Sequence, residues 1–163
     1  MEVIVGENRK LLGKVAMVFG GSRGIGAAIV QRLAEDGADV ALTYVSAENK
    51  AAEAVASIEA MGRRGLAIKA DSADAAAIQE AVTQVVGRFG RFDILVVNAG
   101  ILRLGSVETV SLEDLDRMLD VNVRDVFLAI QAAARLLADG GRVITIGSNT
   151  AFAPAFRVPA FIR

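Results

Sequence analysis

With 163 residues, 53% of them hydrophobic, the chain has the material for one domain with a well-buried core. A net charge of −1 without a basic block argues against nucleic acid and membrane surfaces as partners, and the absence of Cys and His excludes disulfides, thiol catalysis and the commonest metal ligands. No apolar run approaches the roughly 20 residues of a membrane-spanning helix and residues 1–10 carry no secretory pattern, so a cytoplasmic protein with no metal site is expected.

In chain order, residues 1–11 read as a loose leader and 15–19 as a short apolar strand. The run Gly20-Gly-Ser-Arg-Gly-Ile-Gly26 follows at once, and 25–36 reads as a helix closed by Gly37. A second strand is predicted over 39–44, an alanine-rich helix over 47–61, a third strand over 66–70 and a helix over 74–89. Residues 93–97 make a fourth strand. The segment 111–138 reads as one long helix, capped by Ser111, with Glu113 and Asp114 at its positive end and Gly140-Gly141 as its stop. A fifth strand is predicted over 142–146, and 151–163 is an atypical tail in which Pro154 and Pro159 argue against a continuous helix. Short apolar strands alternating with helices imply an α/β fold, a doubly wound parallel sheet covered on both faces, within one domain spanning 1–163.

Two features carry chemistry. An apolar strand feeding a glycine-rich turn and then a helix is the order of parts that holds a dinucleotide pyrophosphate, because glycines let phosphate oxygens approach the N–H donors of a helix N-terminus. On the long helix, Leu115, Met118, Leu119, Val123, Val126, Phe127 and Ile130 form an apolar stripe expected to face the core. Asn122 falls inside that stripe, and its plain reading is a buried amide bonded to neighbouring backbone.

Gly20-x-x-x-Gly24-x-Gly26, Asp71, Asn98-Ala-Gly100, Asn122 and Ser148 resemble, in order and spacing, the short-chain dehydrogenase/reductase family, and most of all its 3-oxoacyl-acyl-carrier-protein reductases. The likeness covers about residues 12–150 and implies a Rossmann sheet of order 3-2-1-4-5 that stops before the family's usual last two strands. It implies a cofactor site of Gly20, Ser22, Arg23, Gly24, Ile25 and Gly26 around the phosphates and Tyr44 and Ser46 at the end of strand two. Asp71 and Ser72 would lie near the adenine, and Asn98, Ala99 and Gly100 on the ribose and nicotinamide side. As an isolated residue Asp71 equally suits a cap for the next helix. NADP (NADPH) is the expected cofactor, since no acid stands at residues 43–46 to repel a 2′-phosphate and Arg23 can pair with one, although Arg23 also reads as a solvated loop charge.

The same resemblance implies reduction of a small carbonyl substrate of 3-oxoacyl type, with Ser148 orienting the carbonyl and Asn122 supporting a relay water. Three departures stand out. Phe19 replaces the family's usual Thr. Tyr44 is the one tyrosine and Lys69 the last lysine, so the family's Tyr-x-x-x-Lys pair is absent; Phe161 lies about where the tyrosine is expected. The chain therefore reads as a C-terminally truncated member that binds NADP but is impaired in proton transfer; the alternative is a non-enzymatic NADP-binding or protein-interaction module. One face of strands four and five is expected to be bare, and the family's use of the long helix at subunit contacts makes a homo-oligomer plausible.

Overall fold

Strands β1 (Val15–Phe19), β2 (Asp39–Tyr44), β3 (Gly65–Lys69), β4 (Ile94–Val97) and β5 (Arg142–Thr145) form one parallel sheet in the order β3-β2-β1-β4-β5. The computed structural model describes residues 9–106 and 108–148; most of the leader and the whole 151–163 tail, with Pro154, Pro159 and Phe161, lie outside them. Helices α1 (Gly24–Glu35), α2 (Glu48–Ala60) and α3 (Ala75–Phe89) connect the strands, each within two residues of its expected bounds. This is the doubly wound α/β architecture that the alternation of strands and helices implied.

The central strand explains the layering. β1 is buried along its whole length, and successive side chains point to opposite faces. Val15, Met17 and Phe19 join Val82, Val85, Leu95 and Ala129 on one side, while Ala16 and Val18 join Val30, Leu42 and Ile58 on the other. Register is set by pairs such as Val15↔Asp39 and Ala16↔Ile94.

The amino-terminal edge of this core is tied by a buried acid. Asp93 accepts from the Val15 N–H at 3.0 Å, from Lys14 Nζ at 3.2 Å and from Arg91 through two bonds of 2.6 Å. Burial opposes its charge, but Arg91, the Val15 N–H and Lys14 together hold its carboxyl below the usual range. Its contribution is therefore complete above the ordinary carboxylate pKa and is lost as the pH falls through the lowered folded value. Asp93→Ala is expected to destabilise the fold by about 2–4 kcal/mol in urea melts at neutral pH, mainly by leaving the Val15 N–H without its partner, with the difference shrinking in acid.

The expected long helix over 111–138 is corrected. α4 (Leu112–Leu119) passes into a π-helical turn, Asp120–Arg124, and then into α5 (Asp125–Ala134). The Asp125 N–H donates to the Asp120 carbonyl, five residues back. The helix stops well before Gly140-Gly141, because the Ala138 N–H is taken by the Phe92 carbonyl at 2.7 Å, which draws the chain toward β5. Ser111 does cap α4, accepting from the Asp114 N–H at 3.1 Å.

Its buried face is also not the expected one. Leu119, Val123 and Phe127 are 49%, 59% and 63% exposed, while Val121, Asp125, Ala129, Ala132 and Ala133 are buried. Leu115, Met118, Val126 and Ile130 are half-buried. The extra residue of the π turn shifts the phase, and α5 lies against α3 through small side chains that permit close approach, leaving several large ones outside. On the sheet, β5 is exposed at every residue, as a bared face implied, but β4 is buried over Leu95–Val97.

Candidate functional site

The carboxyl ends of β1 to β4 open on a cleft of about 450 Å³. It lies where strand order reverses between β1 and β4, the place at which open α/β sheets bind ligands.

The glycine loop forms its floor and is held from two sides. The Gly20 N–H donates to Thr43 Oγ1 at 2.9 Å, and the Gly20 carbonyl accepts from Asn98 Nδ2 at 3.1 Å. Gly26 sits directly beneath: a Cβ there would overlap the Gly20 carbonyl oxygen and stand 2.6 Å from Asn98 Nδ2. Gly24 lines the cleft at φ +54° with nothing within 4 Å of a would-be Cβ. Its neighbour Arg23 is the N-cap residue of α1, yet its side chain makes no capping bond, so the first-turn N–H donors are left to another acceptor. An open, glycine-lined helix start of this kind fits a phosphate group.

Thr43 was not among the expected site residues, although a hydroxyl in an otherwise apolar strand signals a buried partner. It is 1% exposed. Phe19, where the family usually has Thr, is fully buried in the core, and the hydroxyl at the loop comes from β2 instead. Thr43→Val is expected to cost about 1–3 kcal/mol of stability in urea melts, because the Gly20 N–H loses its acceptor.

Ser22, Ile25, Tyr44, Ser46, Asp71, Ser72, Ala99 and Gly100 line the same cleft with Gly20, Arg23, Gly24 and Asn98. Asp71 does not cap α3. Asp74 does so, accepting from the Ala76 and Ala77 N–H groups at 2.9 and 3.3 Å. Asp71 instead accepts from the Ala73 N–H at 2.9 Å and from Arg117 of α4 at 3.3 Å. The Ala73 N–H, and with it Arg117, outweigh burial and hold the Asp71 carboxyl below its ordinary value. Arg117 and Val121 also line the cleft; nothing local in the sequence marked them, since Arg117 lies 46 positions from Asp71.

Asn122 and Ser148 are not among the residues that line the cleft. Asn122 is exposed rather than buried, and works as an amide splint: Nδ2 donates to the Ile101 carbonyl at 2.8 Å and Oδ1 accepts the Ile101 N–H at 2.9 Å. It thereby fixes the turn at Gly100-Ile101. Ser148 is exposed, three residues past β5. No helix among the described residues is long and apolar enough to cross a membrane, and none of their carboxylates gather as a metal cluster.

Comparison with known proteins agrees with this architecture. The chain is 45% identical over 139 residues to an uncharacterized oxidoreductase of Methylorubrum extorquens, covering 85% of this chain and 56% of that protein. It is 41% identical over 145 residues to versicolorin reductase 1 of Aspergillus parasiticus, covering 89% of this chain and 55% of that protein. Among solved structures, a short-chain dehydrogenase of Burkholderia cenocepacia in complex with NADP superposes with a TM-score of 0.89 at 53% identity, over 93% of this chain and 62% of that one. A short-chain dehydrogenase/reductase of Serratia marcescens gives 0.90 at 56% identity, with the same coverage of 93% and 62%. The chain thus spans about half the length of the curated relatives it matches. The family model described as short chain dehydrogenase matches residues 14–161, and the chain belongs to that family.

Proposed function

We propose that this chain binds NADP(H) in the cleft at the carboxyl ends of β1 to β4 and is an oxidoreductase of carbonyl-reducing type. The carrying observation is the glycine loop, tethered by Thr43 and Asn98 beneath a helix start that its N-cap residue, Arg23, leaves uncapped. The pyrophosphate would meet Gly20, Ser22, Gly24 and Ile25 above Gly26, with Tyr44 and Ser46 toward the adenosine ribose. Asp71 and Ser72 would wall the adenine, and Asn98, Ala99 and Gly100 the nicotinamide side. A bound reduced nicotinamide supplies a hydride. Ser148 would orient the carbonyl oxygen, and Asn122 would steady the loop beside it. Tyr44, the one tyrosine of the sequence, lines the cleft at the end of β2 and has no lysine one helical turn beyond it, so Tyr44 itself is not expected to serve as an efficient proton donor.

NADP is favoured over NAD because residues 43–46 carry no acid and Arg23 is an exposed cation on the cleft. The Burkholderia cenocepacia relative solved with NADP supports the same choice. Fluorescence titration of the purified chain tests it: NADPH is expected to bind saturably and at least roughly tenfold more tightly than NADH. Arg23→Ala is expected to remove most of that discrimination while leaving NADH affinity unchanged. Failure of both dinucleotides to bind overturns the reading.

The exposed stripe Leu119, Val123 and Phe127 favours a second element of the reading, packing against a second copy of the chain. Size-exclusion chromatography of Phe127→Glu is expected to show a monomer where the unaltered chain elutes as a dimer.

A further inference from the structure

The ion pair at the adenine end of the cleft is made differently from the forked pairs elsewhere in the fold. Arg91 grips Asp93 through Nε and Nη2 at 2.6 Å each, and Arg32 grips Asp36 through the same two nitrogens at 3.1 and 2.9 Å. Arg117 reaches Asp71 with Nη2 alone, 3.3 Å from both carboxylate oxygens. Among the described residues neither Nη1 nor Nε of Arg117 has a partner. The carboxylate is underused as well. Oδ1 also accepts from the Ala73 N–H at 2.9 Å, whereas Oδ2 has Arg117 as its single donor among the described residues. The two side chains are 43% and 44% exposed, and both line the cleft.

The pair therefore offers the cleft a carboxylate that only accepts and, beside it, a guanidinium that only donates. The Ala73 N–H, and with it Arg117, hold the Asp71 carboxyl below its ordinary value, so it stays an acceptor across the neutral range. Val121, four residues beyond Arg117, adds an apolar side chain to the same cleft. An acceptor and a donor side by side match one kind of purine edge. A 6-aminopurine presents an amino donor next to a ring-nitrogen acceptor, whereas a 6-oxopurine carries a carbonyl acceptor in place of the amino group. We propose that Asp71 and Arg117 together read the edge of the base, Asp71 accepting from the 6-amino group and Arg117 donating to the neighbouring ring nitrogen. The cleft then takes adenine dinucleotides and disfavours their 6-oxopurine counterparts. The bond between the two side chains sets their spacing before the ligand arrives. The inference rests on the cofactor reading and adds Arg117, and a choice of base, to it. An ion pair that merely ties α4 to the loop after β3 would contribute little and would be indifferent to the base.

NADPH and its hypoxanthine counterpart, in which the 6-amino group is a carbonyl, are the probes, and fluorescence titration of the full chain at pH 7 reads both. NADPH is expected to bind at least roughly tenfold more tightly. Arg117→Lys keeps the charge and its partner but places every donor on one nitrogen. It is expected to unfold at the same urea concentration as the unaltered chain, while the preference for NADPH falls to about threefold or less. Asp71→Asn puts an amide donor where the carboxylate stood, and its preference is expected to vanish, chiefly through tighter binding of the hypoxanthine dinucleotide. A damaged site gives no such gain. Equal affinity of the unaltered chain for the two probes, a preference undiminished in Arg117→Lys, or no gain for the hypoxanthine dinucleotide in Asp71→Asn overturns the inference and leaves the cofactor reading standing. Binding of neither probe by the unaltered chain overturns both.

Discussion

Gly26→Ala is expected to abolish dinucleotide binding and to lower stability by about 3 kcal/mol or more. The added methyl has nowhere to go. It would overlap the carbonyl oxygen of Gly20 and stand 2.6 Å from Asn98 Nδ2, and neither is the free end of a flexible chain. Gly20 is pinned through its N–H to Thr43, buried near the end of β2, and through its carbonyl to Asn98, half-buried just past β4. Relief requires α1 to lift away from the loop, which breaks the Asn98 bond and opens the packing of Val30 and Ala34 on the sheet. Overpacking costs about 1–3 kcal/mol, and a half-buried carbonyl left without its donor adds up to a comparable amount.

Gly24→Ala separates the two consequences. Its Cβ meets nothing within 4 Å, so the φ of +54° is the main penalty, about 1–2 kcal/mol, while the methyl obstructs the approach of a phosphate. Urea melts with parallel NADPH titration are expected to show binding lost in both variants but a large stability loss only in Gly26→Ala. An unaltered melt for Gly26→Ala would contradict the geometry beneath the loop.

Asp125→Asn is expected to stabilise the protein at pH 7, by at most about 3 kcal/mol. The folded pKa of about 6 lies above the ordinary 3.8, so between those values the unfolded chain releases its proton while the folded chain keeps it. The folded state is penalised progressively over that interval, and the penalty levels off above about pH 6. Below pH 4 both states are protonated and no penalty exists. Asparagine removes the charge but keeps a polar group in the same apolar setting, so the realised gain falls below the ceiling. The gap between the two proteins in urea midpoint should open from pH 4 to 6 and then stay constant. A gap of equal size at pH 4 and pH 7 would assign the effect to packing rather than to the proton.

The features legible in the sequence were those with local physical causes. Strand–helix alternation follows from short apolar runs and the turns between them, and it sufficed for a parallel sheet covered on both faces and for α1 to α3 within two residues, whereas the strand order came from the family resemblance. The glycine loop was legible because turn chemistry and helix starts depend on neighbours in sequence. What only the tertiary structure decided involves groups far apart in the chain. Thr43 and Asn98 reach Gly20 across 23 and 78 positions, and Arg117 reaches Asp71 across 46. The segment 111–138 shows the limit most plainly. Its large apolar residues, read by size and spacing, imply a buried stripe of Leu119, Val123 and Phe127, yet α3 is close enough to accept only the alanine side of α5, and the π turn rotates the larger residues outward. Periodicity tells which residues share a helix face; which face the core receives, and that Asp125 is carried inside with it, depends on the shape of the surface already waiting there.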